Sequence, residues 1–312
     1  MLDKFVRNVH TLRLCVTDEC NFRCHHCMAQ TEKRFCESPL TDEECVELAH
    51  AAVRCGIDKL RLTGGEPLER PGIVSLCARL ACVPGIRTVA MSTNGARLAN
   101  FAGYLHKVGV TCVNVSLNTL SPHRFSVLTR GGVLHDTLAG LDTAIRLGFE
   151  QVKINVLLLG NVNMDEIVDF ANLTRERPLE VRFVELMPLG VCADWKPERF
   201  ARADEVLRLC PDLQPIEADG LAERYRLPGA IGTVGLIRTM SGCICDRCGH
   251  IRALADGTLK PCLHSAQEFP TRGLKGEALV RRIEECIRSR PEEYRLLKAP
   301  AQERRGMHQL GG

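Results

Sequence analysis

Leu12-Arg13-Leu14-Cys15-Val16-Thr17-Asp18-Glu19-Cys20-Asn21-Phe22-Arg23-Cys24-His25-His26-Cys27 reads as a short apolar strand, Leu12–Val16, that empties into a C-x3-C-x2-C array. Cysteines at i, i+4 and i+7 would share one face of a helix. Asn21, Arg23, His25 and His26 make a poor core segment, however, and suit a loop. Three thiolates converging from one loop suit a [4Fe–4S] cluster with one iron left open. A tetrahedral zinc would take His25 or His26 as its fourth ligand. Spacing alone leaves cluster, zinc and simple burial open.

Outward from this stretch, short β-branched runs alternate with helix-length amphipathic segments. Strands are expected at Lys59–Leu62, Thr88–Met91, Cys112–Leu117, Val152–Leu159 and Val181–Leu186. Thr41 with Glu44 three residues on forms a capping box that opens one helix. Leu134, Leu138, Leu141 and Ile145 fall at helical spacing before Gly148, a natural stop. Such alternation implies a parallel sheet with right-handed crossovers. Six units do not close an eight-fold barrel, so the expected fold class is α/β, a partial (β/α)6 TIM-like barrel. Past Leu221 the pattern changes to a strand at Ile231–Ile237, a Cys-rich loop, a hairpin at Asp256-Gly257 and a helix from Gly276 to Ser289. The tail from Ala299 is polar and expected to be irregular. The expected division is residues 1–225 for the partial barrel and 226–312 for a small α+β domain.

Composition narrows the function. The 312 residues are 45% hydrophobic and 25% charged, which excludes disordered and collagen-like classes. No run approaches the ~20 apolar residues of a membrane helix, and Met1–His10 lacks the hydrophobic core of a secretory signal. A net charge of +3 and 4% aromatic residues give no footing for nucleic acid or a membrane surface. Seventeen cysteines, an odd number, cannot all pair as disulfides. A cytoplasmic protein is expected, in which thiols bind metal, react or are buried.

Two further motifs stand out. Thr63-Gly64-Gly65-Glu66-Pro67-Leu68 follows the second strand. Its glycines would let a ligand approach the backbone, and Glu66 would offer a carboxylate to a cation such as an ammonium group. Cys245-x2-Cys248-x13-Cys262, with Cys243 beside it, is a second metal-ligand spacing, open to zinc or to another iron–sulfur cluster. Cys15, Cys36, Cys45, Cys55, Cys77, Cys82, Cys112, Cys192, Cys210 and Cys286 read as buried small hydrophobes.

Taken together, the first array and the Gly-Gly-Glu motif resemble the radical S-adenosylmethionine (SAM) superfamily. The resemblance tightens to its GTP 3′,8-cyclase family, which starts molybdenum cofactor biosynthesis. It extends over Thr93-Asn94-Gly95, Val115-Ser116-Leu117, Lys153-Ile154-Asn155, Arg182–Met187, the second array and Met307-His308-Gln309-Leu310-Gly311-Gly312. The resemblance implies a lyase with SAM and two [4Fe–4S] clusters, on Cys20, Cys24, Cys27 and on Cys245, Cys248, Cys262. It implies SAM beside His26, Gly65, Glu66, Ser116 and Met187. GTP would meet Arg13, Arg61, Ser92, Lys153, His250, Ile251 and Arg252. The implied reaction is abstraction of the ribose 3′-hydrogen by a 5′-deoxyadenosyl radical, attack of C3′ on C8, and reduction to 3′,8-cyclo-7,8-dihydro-GTP. Arg13 and Lys153 would hold the triphosphate and Arg252 would assist the late step. A terminal Gly-Gly reaching toward the active site belongs to the same resemblance. An electron donor of flavodoxin or ferredoxin type is implied, with no nucleic acid or membrane partner, and a homodimer is admitted. The charges agree, because a triphosphate needs several cations and Arg13, Arg61 and Lys153 lie inside otherwise apolar strands.

The chain also departs from that family. His26 stands where an aromatic residue, commonly Tyr, is usual, Ser92 where Thr is usual, and Asn118 where Asp is frequent. His250 replaces the first of two arginines flanking one residue after Cys248. The competing readings are a divergent radical SAM paralogue acting on another nucleotide or small molecule, and a zinc-containing scaffold without catalysis.

Overall fold

The computed structural model describes residues 1–29, 36–242, 244–293 and 305–311. Six strands lead the chain: β1 (Thr11–Cys15), β2 (Lys59–Thr63), β3 (Thr88–Thr93), β4 (Val110–Ser116), β5 (Gln151–Leu158) and β6 (Glu180–Glu185). They are joined through α1 (Asp42–Arg54), α2 (Ile73–Ala81), α3 (Leu98–Lys107), α4 (Pro122–Thr129), α5 (Leu134–Arg146) and α6 (Ile167–Glu176). Neighbouring strands in this run all pair parallel. The Thr41 capping box is formed, with Glu44 N–H on the Thr41 hydroxyl and the Glu44 carboxylate on the Thr41 N–H. Gly148 follows α5 at φ 75°, in the left-handed region that stops a helix.

The remaining elements are α7 (Asp204–Leu209), β7 (Gln214–Asp219), β8 (Ala222–Arg226), β9 (Thr233–Ile237), β10 (His250–Ala253), β11 (Thr258–Lys260), β12 (Phe269–Pro270), α8 (Gly276–Arg288) and α9 (Met307–Leu310). All twelve strands belong to one sheet, in the order β12-β11-β10-β1-β2-β3-β4-β5-β6-β9-β8-β7. The expected division at 225/226 therefore falls inside β8. Strands β9 and β10 extend the parallel run at its two edges, against β6 and β1, and antiparallel meanders flank them. The sheet does not close on itself, as expected for a partial barrel. The tail differs from the irregular segment expected, because residues 307–310 form a helical turn.

Alternation within the strands separates two faces. Leu12 and Leu14 of β1, Leu60 and Leu62 of β2, and Ile154 and Val156 of β5 are almost fully buried in the core shared with the helices. Their neighbours Arg13, Arg61 and Lys153 point to the concave side. Burial of such side chains contributes about 1.5–3 kcal/mol each, and this outer layer fixes where the inward residues stand. Eight of the ten remaining cysteines are buried as expected, whereas Cys36 is half-buried and Cys82 exposed.

Candidate active site

Sheet register builds the site in rows. Arg13 of β1 pairs with Arg252 of β10 on one side and Arg61 of β2 on the other, so three guanidiniums lie abreast. Two residues earlier, Thr11 brings His250 and Lys59 into a second row. Across the sheet, Ser92, Asn114, Lys153 and Glu180 align from β3 to β6, and Ser116, Asn155 and Arg182 align above them. All of these residues except Asn114 and Glu180 line a cavity of about 870 Å³. The same cavity is lined by both cysteine triads, Cys20, Cys24, Cys27 and Cys245, Cys248, Cys262, and by His26, Gly65, Met187 and Gly311. Cys243 and Gly312 lie outside the described residues.

The first triad sits on an irregular loop, not on a helix. Gly64 and Gly65 explain how that loop is held. A Cβ on either would fall 2.3 Å from the Thr17 carbonyl or 2.2 Å from that of Glu19. Gly65 N–H donates to Thr17 O at 2.8 Å and Glu66 N–H to Glu19 O at 2.7 Å. The close approach expected of these glycines is therefore made to the segment that carries Cys20. Glu66 also differs from expectation. Its carboxylate accepts from Leu68 N–H, the Thr93 hydroxyl and Asn94 N–H at 2.7–3.1 Å, is 1% exposed, and does not line the cavity. Burial raises its pKa to about 7. The Ile251 side chain likewise does not line the cavity. It alternates away from His250 and Arg252, is 0% exposed and packs in the core.

Burial pushes the Cys20 and Cys27 thiols up to about 12, and raises Cys24 and Cys262 as well. Buried thiols of this kind ionise readily only when a metal takes the proton's place. Two sets of three thiols on opposite sides of one cavity are a donor set that fits two iron–sulfur clusters. The His26 ring is half-buried on the cavity wall, and desolvation there, followed by the neighbouring His25, lowers its pKa to about 4, so it is neutral. Its Nδ1 is buried without a hydrogen-bond partner. Asn118 Oδ1 accepts Leu157 N–H at 2.8 Å, and its amide faces His26 Nε2 at 3.5 Å, so the Asn for Asp exchange leaves a fixed neutral group there.

Electrostatics at the other end call for an anion. Burial, then the Arg252 and Arg61 charges, lower the Arg13 pKa well below the guanidinium range. The same cations, after burial, hold His250 well below the imidazole range. His250 therefore adds no positive charge in place of the family's arginine. The chain's own tail supplies part of the compensation: Arg13 donates to Gly311 O at 2.9 Å and Arg252 to Leu310 O at 2.8 Å. Leu310 packs with Leu189, Leu254 and Leu263, and Arg305 is anchored by Asp256 and Glu268.

Lys59, Asn155 and Arg182 also line the cavity; Asn155 and Arg182 stand within resemblance segments but received no role from them, and no motif covers Lys59. A weaker signal was present for two of them: Lys59 sits two residues from Arg61 and Asn155 two from Lys153 in the same period-two strands. A partial barrel with a three-cysteine loop after its first strand defines a radical SAM-type protein. Residues 14–174 match the radical SAM superfamily and residues 179–296 match Molybdenum Cofactor Synthesis C. GTP 3′,8-cyclase of Alkaliphilus oremlandii is 40% identical over 320 residues, covering 100% of each chain. GTP 3′,8-cyclase of Peptoclostridium acidaminophilum is also 40% identical, over 100% of this chain and 98% of its own length. Streptococcus suis SuiB superposes with a TM-score of 0.64 at 12% identity, over 92% of this chain and 67% of SuiB, which is a likeness of fold. The chain belongs to the GTP 3′,8-cyclase family of the radical SAM superfamily.

Proposed function

We propose that the chain is a GTP 3′,8-cyclase, a lyase that opens molybdenum cofactor biosynthesis. One observation supports this most: a single cavity carries both cysteine triads with rows of cations between them. The full-length likeness to GTP 3′,8-cyclases supports the same substrate, and no observation favours another nucleotide. Cys20, Cys24 and Cys27 would hold one [4Fe–4S] cluster, and Cys245, Cys248 and Cys262 a second. Bound there, cluster and SAM would supply the radical chemistry that takes the ribose 3′-hydrogen of GTP.

The chain's residues do the rest by position and charge. His26, Gly65, Ser116 and Met187 lie on the first triad's side and hold SAM. Arg13, Arg61 and Lys153, joined by Lys59 and Arg182, bind the triphosphate through charge-assisted hydrogen bonds. Ser92 and neutral His250 contact the nucleoside. Arg252 lies in the same electrostatic field as Cys248 and Cys262, where a fixed cation favours adding an electron to bound nucleotide. The tail helix and the wall of Leu189, Leu254 and Leu263 exclude water from the reacting centre. The functional division is residues 1–225 for SAM and 226–312 for the second cluster and purine. The cysteine inventory supports a reducing, cytoplasmic setting, and the family resemblance supports a donor of flavodoxin or ferredoxin type. The test is GTP carrying deuterium at C3′: the reading expects deuterium in the 5′-deoxyadenosine formed, and its retention in the nucleotide refutes it.

A further inference from the structure

A buried ion trio lies behind the second triad, on the side away from the cavity. Asp3, whose side chain is 0% exposed, sits between Arg7 and Arg290 at 7% and 3%. Asp3 Oδ2 accepts from Arg7 Nε at 2.7 Å and from Arg290 Nη1 at 2.8 Å. Its Oδ1 accepts the backbone N–H groups of Phe5 and Arg7 at 2.9 and 3.0 Å. The guanidiniums then reach forward. Arg7 Nη1 donates to Cys245 O at 3.2 Å, and Arg290 Nη2 donates to Cys248 O. Arg7 also caps the end of the segment after α8 through Pro291 O and Glu292 O.

Each of these contacts is specific. The two carbonyls held belong to the two cysteines of the C-x2-C pair, and the turn between them is a single short 3-10 turn, Cys245–Arg247. One carboxylate bridges both guanidiniums and neutralises one of their two charges, while the carbonyl oxygens of Cys245, Cys248, Pro291 and Glu292 take their remaining donors. The turn that presents Arg7 is strained: Val6 has φ 64°, which a β-branched residue adopts at a cost, and it is 76% exposed, so its own packing does not hold it there. The strain is held by Asp3, which closes residues 3–7 through its carboxylate and through the Asp3 N–H to Arg7 O bond.

We propose that Asp3, Arg7 and Arg290 are positioning residues that hold the Cys245–Cys248 turn in ligand geometry, and so decide whether the second triad takes up and keeps its cluster. The inference rests on the two-cluster reading above. A carbonyl tied from behind leaves the turn no freedom to rotate its thiols away, and iron then binds a preformed pair.

The experiment compares wild type, Arg290→Met, Arg290→Lys and Arg7→Met after anaerobic reconstitution, scoring iron per chain and the low-temperature EPR of each reduced cluster. Cys20→Ser/Cys24→Ser/Cys27→Ser and Cys245→Ser/Cys248→Ser/Cys262→Ser backgrounds assign the two signals. The expected result is a drop from about eight to about four irons per chain in Arg290→Met and Arg7→Met, with the second-triad signal lost and the SAM-responsive first-triad signal kept. Arg290→Lys, which keeps the charge but not the fork, should recover part of that signal. Full iron and an unchanged second-triad signal in both Met variants would overturn the proposal. So would proportional loss at both triads, which makes the trio a general scaffold. A wild-type chain that loads only at Cys20, Cys24 and Cys27 would instead overturn the two-cluster reading itself.

Discussion

Replacing Glu180 with Gln separates charge from shape beside the cavity cations Lys153 and Arg182. Glu180 accepts from Arg182 through two bonds at 2.9 and 3.1 Å and lies 3.4 Å from Lys153 Nζ, with all three side chains at most 11% exposed. With an effective dielectric of about 20, one such contact is worth about 5 kcal/mol as an upper bound. Removing one partner of a buried pair costs about 3–5 kcal/mol. Gln keeps the volume and one acceptor, so the lower end applies, about 3 kcal/mol. Over 312 residues that corresponds to a fall of about 5 °C in melting temperature. A triphosphate in the cavity would supply part of the missing negative charge, so the variant should bind GTP about tenfold more tightly, a gain of about 1.4 kcal/mol. Its kcat should fall, because Lys153 and Arg182 lose the carboxylate that orients them. The assays are thermal melting and calorimetric titration of anaerobically reconstituted protein, with and without GTP. A variant that melts with the wild type, or that binds GTP more weakly, refutes the reasoning.

Other expectations concern the tail, acid stability and the core. Gly311→Ala places a Cβ 2.4 Å from Thr63 Oγ1 at φ 75°, adding about 1–2 kcal/mol of left-handed strain. Its kcat should fall by about 100-fold from displaced carbonyls, and Thr63→Ala in the same chain should recover part of it. Burial pushes the Asp3 carboxyl up, but hydrogen bonds from Arg7 and Phe5 and the charge of Arg290 outweigh it and leave the pKa below the ordinary 3.8. Its contribution is therefore present above pH 3.8 and lost as pH falls through the lowered value. In urea unfolding, Asp3→Asn should be less stable than wild type at pH 7, with the gap closing under acid conditions; a constant gap would contradict the assignment. Ile251→Val should cost about 1 kcal/mol in unfolding and leave the KM for GTP unchanged, since Ile251 belongs to the core.

The six βα units were legible because their outward faces are apolar at strand and helix periods, and register then follows from burial. Arg13, Arg61 and Lys153 could be picked out because a cation inside an apolar strand is costly to bury unless it faces a polar cavity or a partner of opposite charge. The motif residues were a different case. Glu66 reads as a free carboxylate in one dimension, but three donors from Leu68, Thr93 and Asn94 converge on it only once β2 and β3 are paired. Ile251 could be separated from His250 and Arg252 only by knowing that β10 is a strand. The edge positions of β9 and β10, and so the location of the second triad over the cavity, depend on pairings more than fifty residues away in sequence, which local patterns do not encode. The Asp3 trio is of that kind too, joining residues almost three hundred positions apart.

The most direct test of the central claim is the amount of 5′-deoxyadenosine formed by the anaerobically reconstituted protein with SAM and a strong reductant, measured with and without GTP, together with the mass of any nucleotide product. The account predicts 5′-deoxyadenosine that depends on GTP and a cyclised product isobaric with it. Slow SAM cleavage that GTP does not alter, with GTP recovered intact, would contradict it.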